Sequence, residues 1–326
     1  MIVLRFLGNL LLALLLIVLI ALLLFTGYGA IISQVWENVE LAHGVKEGQW
    51  VWIDEEPIYY RAYGPEEGPP LVLVHGFEVA GGGIWYANAE ALARWGVRVI
   101  NVDLKGFGHS TRDASATYTL TEQATLLAKV LNELQVREAT IAGQGWGSAV
   151  ALRLAVEQPQ FVGQLALISP LVYEQEAIRN ARSTWQTVAR VPYLRDMAVW
   201  AALSGGPVWR FRHREEFHDP SLLDGDHWGR MRQPTHIVGT TDALLAMLTA
   251  PEEDNLPQAI PTIGVPTLII VGQEDARLPL ASAQRLAREL PDAKLITLAE
   301  AGHQVQIEKA ERVNTLLTNF CLEGAR

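Results

Sequence analysis

The stretch Ala139-Thr-Ile-Ala-Gly-Gln-Gly-Trp-Gly-Ser148 decides the fold. Its first four residues are apolar or β-branched, which is typical of a strand buried on both faces. Glycines then alternate at Gly143, Gly145 and Gly147, and the following residues predict a helix over 147–158. A strand, a glycine-rich turn and a helix in direct succession place Gly145 at the tip of a sharp turn, where glycine adopts φ > 0 without steric cost.

Short apolar runs and helical patterns alternate along most of the chain. Strands are predicted at Trp50–Ile53, Ile58–Ala62, Leu71–His75, Val97–Val102, Ala139–Ala142, Leu165–Ile168, Thr267–Val271 and Lys294–Leu298. Helices are predicted around Tyr86–Trp95, Thr121–Leu134, Gly147–Gln158, Leu280–Leu290 and Lys309–Phe320. Thr119 and Glu122 have the spacing of a capping box at the start of the second helix. The alternation predicts an α/β protein with a mostly parallel, eight-stranded sheet flanked by helices.

One long stretch interrupts this alternation. From about Leu171 to Ile263 no strand is predicted, and four tryptophans occur there: Trp185, Trp200, Trp209 and Trp228. A helical insertion late in an α/β sheet is expected to form a lid over the carboxyl ends of the strands, where open sheets bind ligands. Large aromatic residues in a lid pack it onto the sheet, and they also suit the wall of an apolar substrate cavity.

The N-terminal residues form a separate apolar segment. Leu10 to Phe25 is an unbroken apolar run, and Arg5 is the only charged side chain before Glu37. With the residues just before it, the run is about long enough to cross a hydrocarbon core of roughly 30 Å as a helix. We predict an uncleaved membrane anchor at residues 1–32 and a connector at 33–47. One large domain follows at 48–326, and it includes the lid at about 171–263.

The charges around this segment predict its orientation. Arg5 and the terminal amine precede the apolar run, and no Lys or Arg follows until Lys46. The positive-inside rule therefore predicts a single-pass membrane protein with a cytoplasmic N-terminus and an extracytoplasmic main domain. A cleaved signal peptide is the alternative, but signal cores usually have about 7 to 15 apolar residues, and no good A-x-A motif occurs near Gly27 to Ala30.

Composition excludes several classes of protein. The chain has a formal net charge of −10 at pH 7, which argues against a general nucleic-acid binder. Its single cysteine, Cys321, excludes an intramolecular disulfide and a cysteine-based zinc site, and we expect it to pack within a helix. The acidic, histidine-containing stretch His213 to His227 offers metal-ligand types but matches no compact motif. We expect a solvated charged turn there, and we predict no metal and no organic cofactor.

Four motifs, taken in order, resemble those of the α/β-hydrolase superfamily. They are Leu71-Val-Leu-Val-His-Gly-Phe77, Asp103-Leu-Lys-Gly-Phe-Gly-His-Ser110, the Gly143–Gly147 turn, and Gly272-Gln-Glu-Asp275 followed by Ala301-Gly-His303. The resemblance extends roughly from Gln49 to the C-terminus. It implies the α/β-hydrolase fold with a helical lid, in which the glycine-rich turn is the nucleophile elbow.

The same resemblance implies roles for individual residues. His303 matches the general base, and Asp275 matches the acid that holds the imidazole in its tautomer. The backbone amides of Phe77 and Trp146 match the two donors of the oxyanion hole. Gly145 stands at the nucleophile position, where family members carry Ser, Asp or Cys. Because glycine has no side chain to attack a substrate, the covalent route through this position is closed.

Other polar residues near the elbow are weaker candidates. Ser148 is expected in the first helical turn, where a serine more often bonds to the helix than to a ligand. Gln144 is no nucleophile, and Glu78 follows the oxyanion residue, where a carboxylate would polarise water or repel anionic substrates. His75 and Asp103 are expected to be scaffold residues at the ends of strands.

Two classes of function remain open. The first is a membrane-anchored hydrolase of small, largely apolar ester-like substrates, in which the Asp275–His303 pair activates water. The second is a non-catalytic module that binds a small apolar ligand or a protein partner, because the side chain that performs the chemistry is missing. A third explanation is that Gly145 is an engineered or sequencing-level change in an ordinary serine hydrolase. The oligomeric state is not predicted.

Overall fold

The computed structural model describes residues 2–37, 47–113, 115–173, 184–191, 194–203, 207–250 and 255–324. Most of the predicted connector, at 38–46, lies outside the described residues, as does the side chain of Trp200.

Eight strands form one sheet in the order β1-β2-β4-β3-β5-β6-β7-β8. Pairs β1–β2 and β2–β4 are antiparallel, and the other pairs are parallel. The strands are β1 Gln49–Ile53, β2 Glu56–Tyr63, β3 Pro70–Val74, β4 Arg98–Val102, β5 Ala139–Gln144, β6 Val162–Ile168, β7 Thr267–Gly272 and β8 Ala293–Leu298. All eight predicted strands are confirmed, each within a few residues of its expected bounds.

The central strands are apolar because both faces of the sheet are covered. Strands β3, β5, β6 and β7 are buried along nearly their whole length. Successive side chains of a strand point to opposite faces. Leu71 and Leu73 of β3 accordingly join one apolar cluster, whereas Val72 and Val74 join the other. The sheet thus separates two apolar layers, as expected of a parallel sheet between helices.

Helices flank the sheet and form the lid. Their bounds are α1 Ile2–Trp36, α2 Ala89–Arg94, α3 Leu120–Glu133, α4 Trp146–Glu157, α5 Leu194–Leu203, α6 Pro207–Arg214, α7 Gly225–Arg232, α8 Thr240–Thr249, α9 Leu256–Ala259, α10 Leu280–Glu289, α11 Val305–Glu308 and α12 Ala310–Gly324, with a further helical stretch at 184–189. The predicted cap of α3 is present, since Thr119 Oγ1 accepts a hydrogen bond from the Glu122 amide at 3.1 Å. Cys321 is buried in α12, as expected.

The lid comprises α5 to α9, between β6 and β7, and the described residues of this stretch contain no strand. Helix α1 contacts α5. Glu37, directly after α1, reaches the start of α8, where its carboxylate accepts hydrogen bonds from the amides of Gly239 at 2.9 Å and Thr241 at 2.6 Å. Burial raises the pKa of Glu37 by more than these hydrogen bonds lower it, so the pKa lies above its usual value. The N-terminal helix is thus joined to the lid.

Helix α1 carries a long apolar segment. Within the described part of the chain, Arg5–Gly29 is the one stretch of helix long and apolar enough to cross a membrane, with a mean hydropathy of 3.1. A membrane span and a signal sequence both have these properties. The helix continues to Trp36, into the stretch predicted as a connector.

Candidate active site

The elbow connects β5 to α4 through Gly145, which has φ +53° and ψ −117°. This φ lies in the left-handed region that favours glycine. The two flanking glycines are needed for a different reason, which is the close approach of backbones. A Cβ on Gly143 would lie 2.5 Å from the Gly147 carbonyl oxygen, and a Cβ on Gly147 would lie 2.2 Å from the His75 carbonyl oxygen. The predicted turn is therefore present, with Gly145 at its tip.

The space beside Gly145 faces the predicted base. A Cβ placed on Gly145 would lie 3.3 Å from His303 Nε2, and its next neighbour would be Leu171 Cδ1 at 3.9 Å. The position therefore accommodates a small side chain with a slight adjustment of the imidazole. With glycine at position 145, the side of Nε2 that faces the elbow is not filled by a side chain of that residue.

His303 and Asp275 form a pair at the ends of β7 and β8. His303 Nδ1 lies 2.9 Å from Asp275 Oδ2, while Asp275 Oδ1 accepts hydrogen bonds from the amides of Arg277 at 2.8 Å and Leu278 at 2.9 Å. Burial acts to raise the pKa of Asp275, but the hydrogen bond and charge of His303 outweigh it and hold this pKa below its usual value. An ionised Asp275 keeps the proton on Nδ1 and leaves the Nε2 lone pair facing Gly145.

The two predicted oxyanion donors flank the elbow. Phe77 follows β3 in a tight turn closed by a hydrogen bond from the Glu78 amide to the Gly76 carbonyl, and Trp146 is the first residue of α4. Among the residues that the structure describes, neither the Phe77 nor the Trp146 amide has a hydrogen-bond acceptor. Both amides therefore lack an acceptor beside the elbow, and the helix N-terminus adds partial positive charge at Trp146.

Ser148 and Gln144 are engaged in holding the turn together. Ser148 is fully buried, and its Oγ donates to the Gly143 carbonyl at 2.7 Å. The Gln144 side chain amide lies 3.5 Å from the His303 carbonyl oxygen. Neither side chain substitutes for a nucleophile at the tip of the elbow.

His75 and Asp103 are scaffold residues, as expected. His75 Nε2 accepts a hydrogen bond from the Leu104 amide at 2.9 Å. The carboxylate of Asp103 is fully buried and accepts from the amides of Gly82 at 2.6 Å and His109 at 2.7 Å. Together they fix the loops after β3 and β4.

The expectation of a solvated turn at His213 to His227 is wrong for three of its residues. Glu215, Asp224 and Asp226 are exposed, but His213, Glu216 and His227 are buried. His213 stacks on Trp209 with ring centroids 5.2 Å apart, which adds lid packing around it. The charged residues of this stretch thus divide between solvent and the interior.

Glu78 lies beside His213 and Glu216, and we call these three buried residues the lid cluster. It lines a cavity of about 80 Å³ together with Phe77, Trp209 and Arg277. Burial raises the pKa of Glu78 to about 7. Burial also acts to raise the pKa of Glu216, but His213 and Arg277 reverse this and lower it to about 2. No local spacing in the sequence connects Glu78 with the lid, so sequence reasoning missed the cluster.

Comparison with known proteins identifies the family. The sequence profile described as alpha/beta hydrolase fold matches residues 69–310. An uncharacterized hydrolase of Bacillus subtilis, YugF, is 27% identical over 82% of this chain and 95% of its own length. A 2-hydroxymuconate semialdehyde hydrolase of Pseudomonas putida is 27% identical over 79% of this chain and 89% of its own. The structure of Est816, an N-acyl homoserine lactone degrading enzyme, is 27% identical with a TM-score of 0.62, covering 83% of this chain and 100% of its own. The chain belongs to the α/β hydrolase fold family.

Proposed function

We propose that this protein hydrolyses small, largely apolar esters by direct attack of water, without a covalent enzyme intermediate. The observation that carries the proposal is the space at Gly145, where a Cβ would lie 3.3 Å from His303 Nε2. A water that accepts or donates a hydrogen bond at Nε2 on this side would stand close to the place of the nucleophile's hydroxyl in other family members. The retained pairing of His303 with Asp275 supports the same proposal.

The proposed reaction is general-base catalysis. His303 Nε2 removes a proton from the water as its oxygen attacks the ester carbonyl carbon, and ionised Asp275 stabilises the resulting imidazolium. The negative charge that develops on the carbonyl oxygen is received by the amides of Phe77 and Trp146. When the tetrahedral intermediate collapses, the ester C–O bond breaks and His303 returns the proton to the departing alkoxide. The products are an acid and an alcohol.

The proposed substrate class rests on the lid and on α1. Because α1 contacts lid helix α5, a chain anchored through Arg5–Gly29 would hold its lid beside the bilayer, where apolar substrates concentrate. The relative Est816 degrades N-acyl homoserine lactones, and a lactone is a cyclic ester. We propose the uncleaved anchor with a cytoplasmic N-terminus. Membrane fractionation, N-terminal sequencing and protease protection test its retention and orientation.

Replacing His303 with alanine tests the proposed activity. We expect kcat/KM for p-nitrophenyl butyrate to fall by about 100-fold or more, since general-base catalysis typically contributes 10²- to 10⁴-fold. The matched control is His218→Ala, which removes an exposed histidine of the lid. Equal rates in the native chain and in His303→Ala, with folding intact, would contradict the proposal. Ligand binding without His303-dependent turnover would instead favour the non-catalytic module, which the missing side chain at Gly145 also suits.

Removing the Glu37 carboxylate tests the join between α1 and the lid. Glu37→Ala leaves the amides of Gly239 and Thr241 without their acceptor, and the loss of such a cap costs about 0.5 to 2 kcal/mol. We expect the first-turn amides of α8 to exchange hydrogen faster, and the melting temperature in detergent to fall. Glu66→Ala, at an exposed turn, is the control, and equal exchange in both variants would show that Glu37 does not hold the lid.

A further inference from the structure

The lid cluster has the composition of a metal site. We propose that Glu78, His213 and Glu216 bind a divalent transition-metal ion of the zinc type. One imidazole nitrogen and two carboxylate oxygens are ligands that zinc accepts, and a fourth position filled by water or substrate is common in such sites. This inference does not depend on the proposed hydrolysis.

The geometry of the cluster supports the proposal. One ligand atom from each residue lies within 4.8 Å of the other two. His213 Nδ1 is 3.2 Å from Glu216 Oε2 and 3.9 Å from Glu78 Oε1. His213 and Glu216 are each 2% exposed and Glu78 is 7% exposed, so water screens their charges poorly. A cation between them would neutralise two carboxylates in a low-dielectric interior.

His213 supplies the observation that points to a ligand. Its Nδ1 is buried and lies at ion-pair distance from both carboxylates, and its orientation in the described structure makes a hydrogen bond with neither of them. Its Nε2 lies 2.9 Å from His227 Nε2, so one of these nitrogens donates to the other. If His213 donates through Nε2, its Nδ1 faces carboxylate oxygens, and either a proton or a metal ion must lie between them. Metal-binding imidazoles normally also make a hydrogen bond through the ring nitrogen that does not bind the metal.

Neighbouring residues orient the second ligand. Glu216 Oε1 pairs with Arg277 Nη2 at 2.5 Å, and Oε2 accepts a hydrogen bond from Gln304 Nε2 at 2.7 Å. Oε2 remains directed at His213, with lone-pair capacity left for a metal. Arg277 offsets the negative charge of Glu216, so the carboxyl group of Glu78 and the imidazole of His213 complete the proposed site. The charge of Arg277 opposes a divalent ion, so Arg277 is expected to limit the affinity.

The site would link the lid to both parts of the candidate active site. Glu78 directly follows the oxyanion residue Phe77, and the Glu216 carbonyl accepts a hydrogen bond from the His303 amide at 2.7 Å. A metal held by both carboxylates would therefore join the lid to the loops that carry Phe77 and His303. Its open position would face the cavity of about 80 Å³ beside Phe77.

Zinc titration of the full chain, without a histidine tag and in detergent after chelator treatment, tests the proposal. We expect one zinc per chain, and affinity at least about 10-fold weaker in His213→Ala and in the near-isosteric Glu78→Gln, because even outer-shell changes cost 10- to 100-fold. His218→Ala, which removes an exposed histidine of the same stretch, should bind zinc as the native chain does. Zinc should also raise the melting temperature of the native chain but not of His213→Ala.

Arg277→Gln adds a readout in the opposite direction. Removing the guanidinium charge beside Glu216 should tighten zinc binding several-fold, whereas a merely structural role for the cluster predicts no gain. Co²⁺ bound in place of zinc should give visible absorption bands that His213→Ala lacks. If the native chain binds no zinc, or if His213→Ala and His218→Ala bind it equally, the proposal is overturned and a proton on His213 is the cation of the cluster.

Discussion

Gly145→Ser is expected to raise ester hydrolysis on the order of 10³-fold or more. Loss of a serine nucleophile from an assembled triad costs more than this in other hydrolases, so restoring one should recover at least a part. The new Cβ would stand 3.3 Å from His303 Nε2, which places a hydroxyl within reach of the base. The Asp275 hydrogen bond already orients that base.

The change also reopens the covalent route. Serine would form an acyl-enzyme, so rapid mixing should show a burst of p-nitrophenol, and a fluorophosphonate probe should label the variant but not the native chain. Gly145→Ala is the matched control, because it brings the same backbone strain without a nucleophile. If Gly145→Ser and Gly145→Ala fold equally well and are equally inactive, the oxyanion hole or the base is not assembled as we propose.

Both substitutions at this position carry a cost in stability. The φ of +53° at Gly145 is unfavourable for any residue with a Cβ, and such strain typically costs about 1 to 3 kcal/mol. His303 must also shift by a few tenths of an ångström to admit the Cβ. Glycine at position 145 avoids this strain and thus stabilises the fold. The unfolding free energies of the serine and alanine variants should fall by similar amounts.

The strands and the elbow were predictable because their signals are local. A run such as Leu71-Val-Leu-Val74 has the composition of a strand buried on both faces, and the close approach of β3 and α4 requires a glycine at position 147. The pairing partners of these strands are non-local, so the alternation of strands and helices predicted a mostly parallel sheet but not the order of its strands. The roles of His303 and Asp275 came from the superfamily resemblance, and the structure places the two side chains in contact.

The lid cluster was not predictable because its parts are far apart in the sequence. Glu78 follows β3 and Glu216 lies in the lid, so no spacing rule brings their carboxylates together. Burial of a charged side chain depends on what packs over it. The stretch His213 to His227 reads as polar, yet His213, Glu216 and His227 are buried by tertiary contacts while its other charged residues are exposed. Charge content therefore predicted the wrong environment for the three buried residues.

Gly147→Ala is expected to destabilise the fold by about 3 kcal/mol or more, the upper end of the usual cost of overpacking, because the added Cβ meets backbone atoms. Its Cβ would lie 2.2 Å from the His75 carbonyl oxygen and 2.7 Å from that of Val74. Both atoms belong to the backbone, so the clash is not relieved by a side-chain rotation, and β3 and α4 must separate. Interiors are close-packed, so this separation also disturbs the elbow and the oxyanion loop. A loss of this size removes much of the roughly 5 to 15 kcal/mol that holds a domain folded.

The control for this prediction is an alanine where there is room for it. Gly229 lies in lid helix α7 with nothing within 4 Å of an added Cβ, so Gly229→Ala should be neutral or stabilising by up to about 1 kcal/mol. Chemical denaturation in detergent measures both variants. If Gly147→Ala unfolds at the same denaturant concentration as the native chain, β3 and α4 are not packed as closely as the structure has them. Because the base and the oxyanion donors depend on that contact, the geometry proposed for water attack would fail with it.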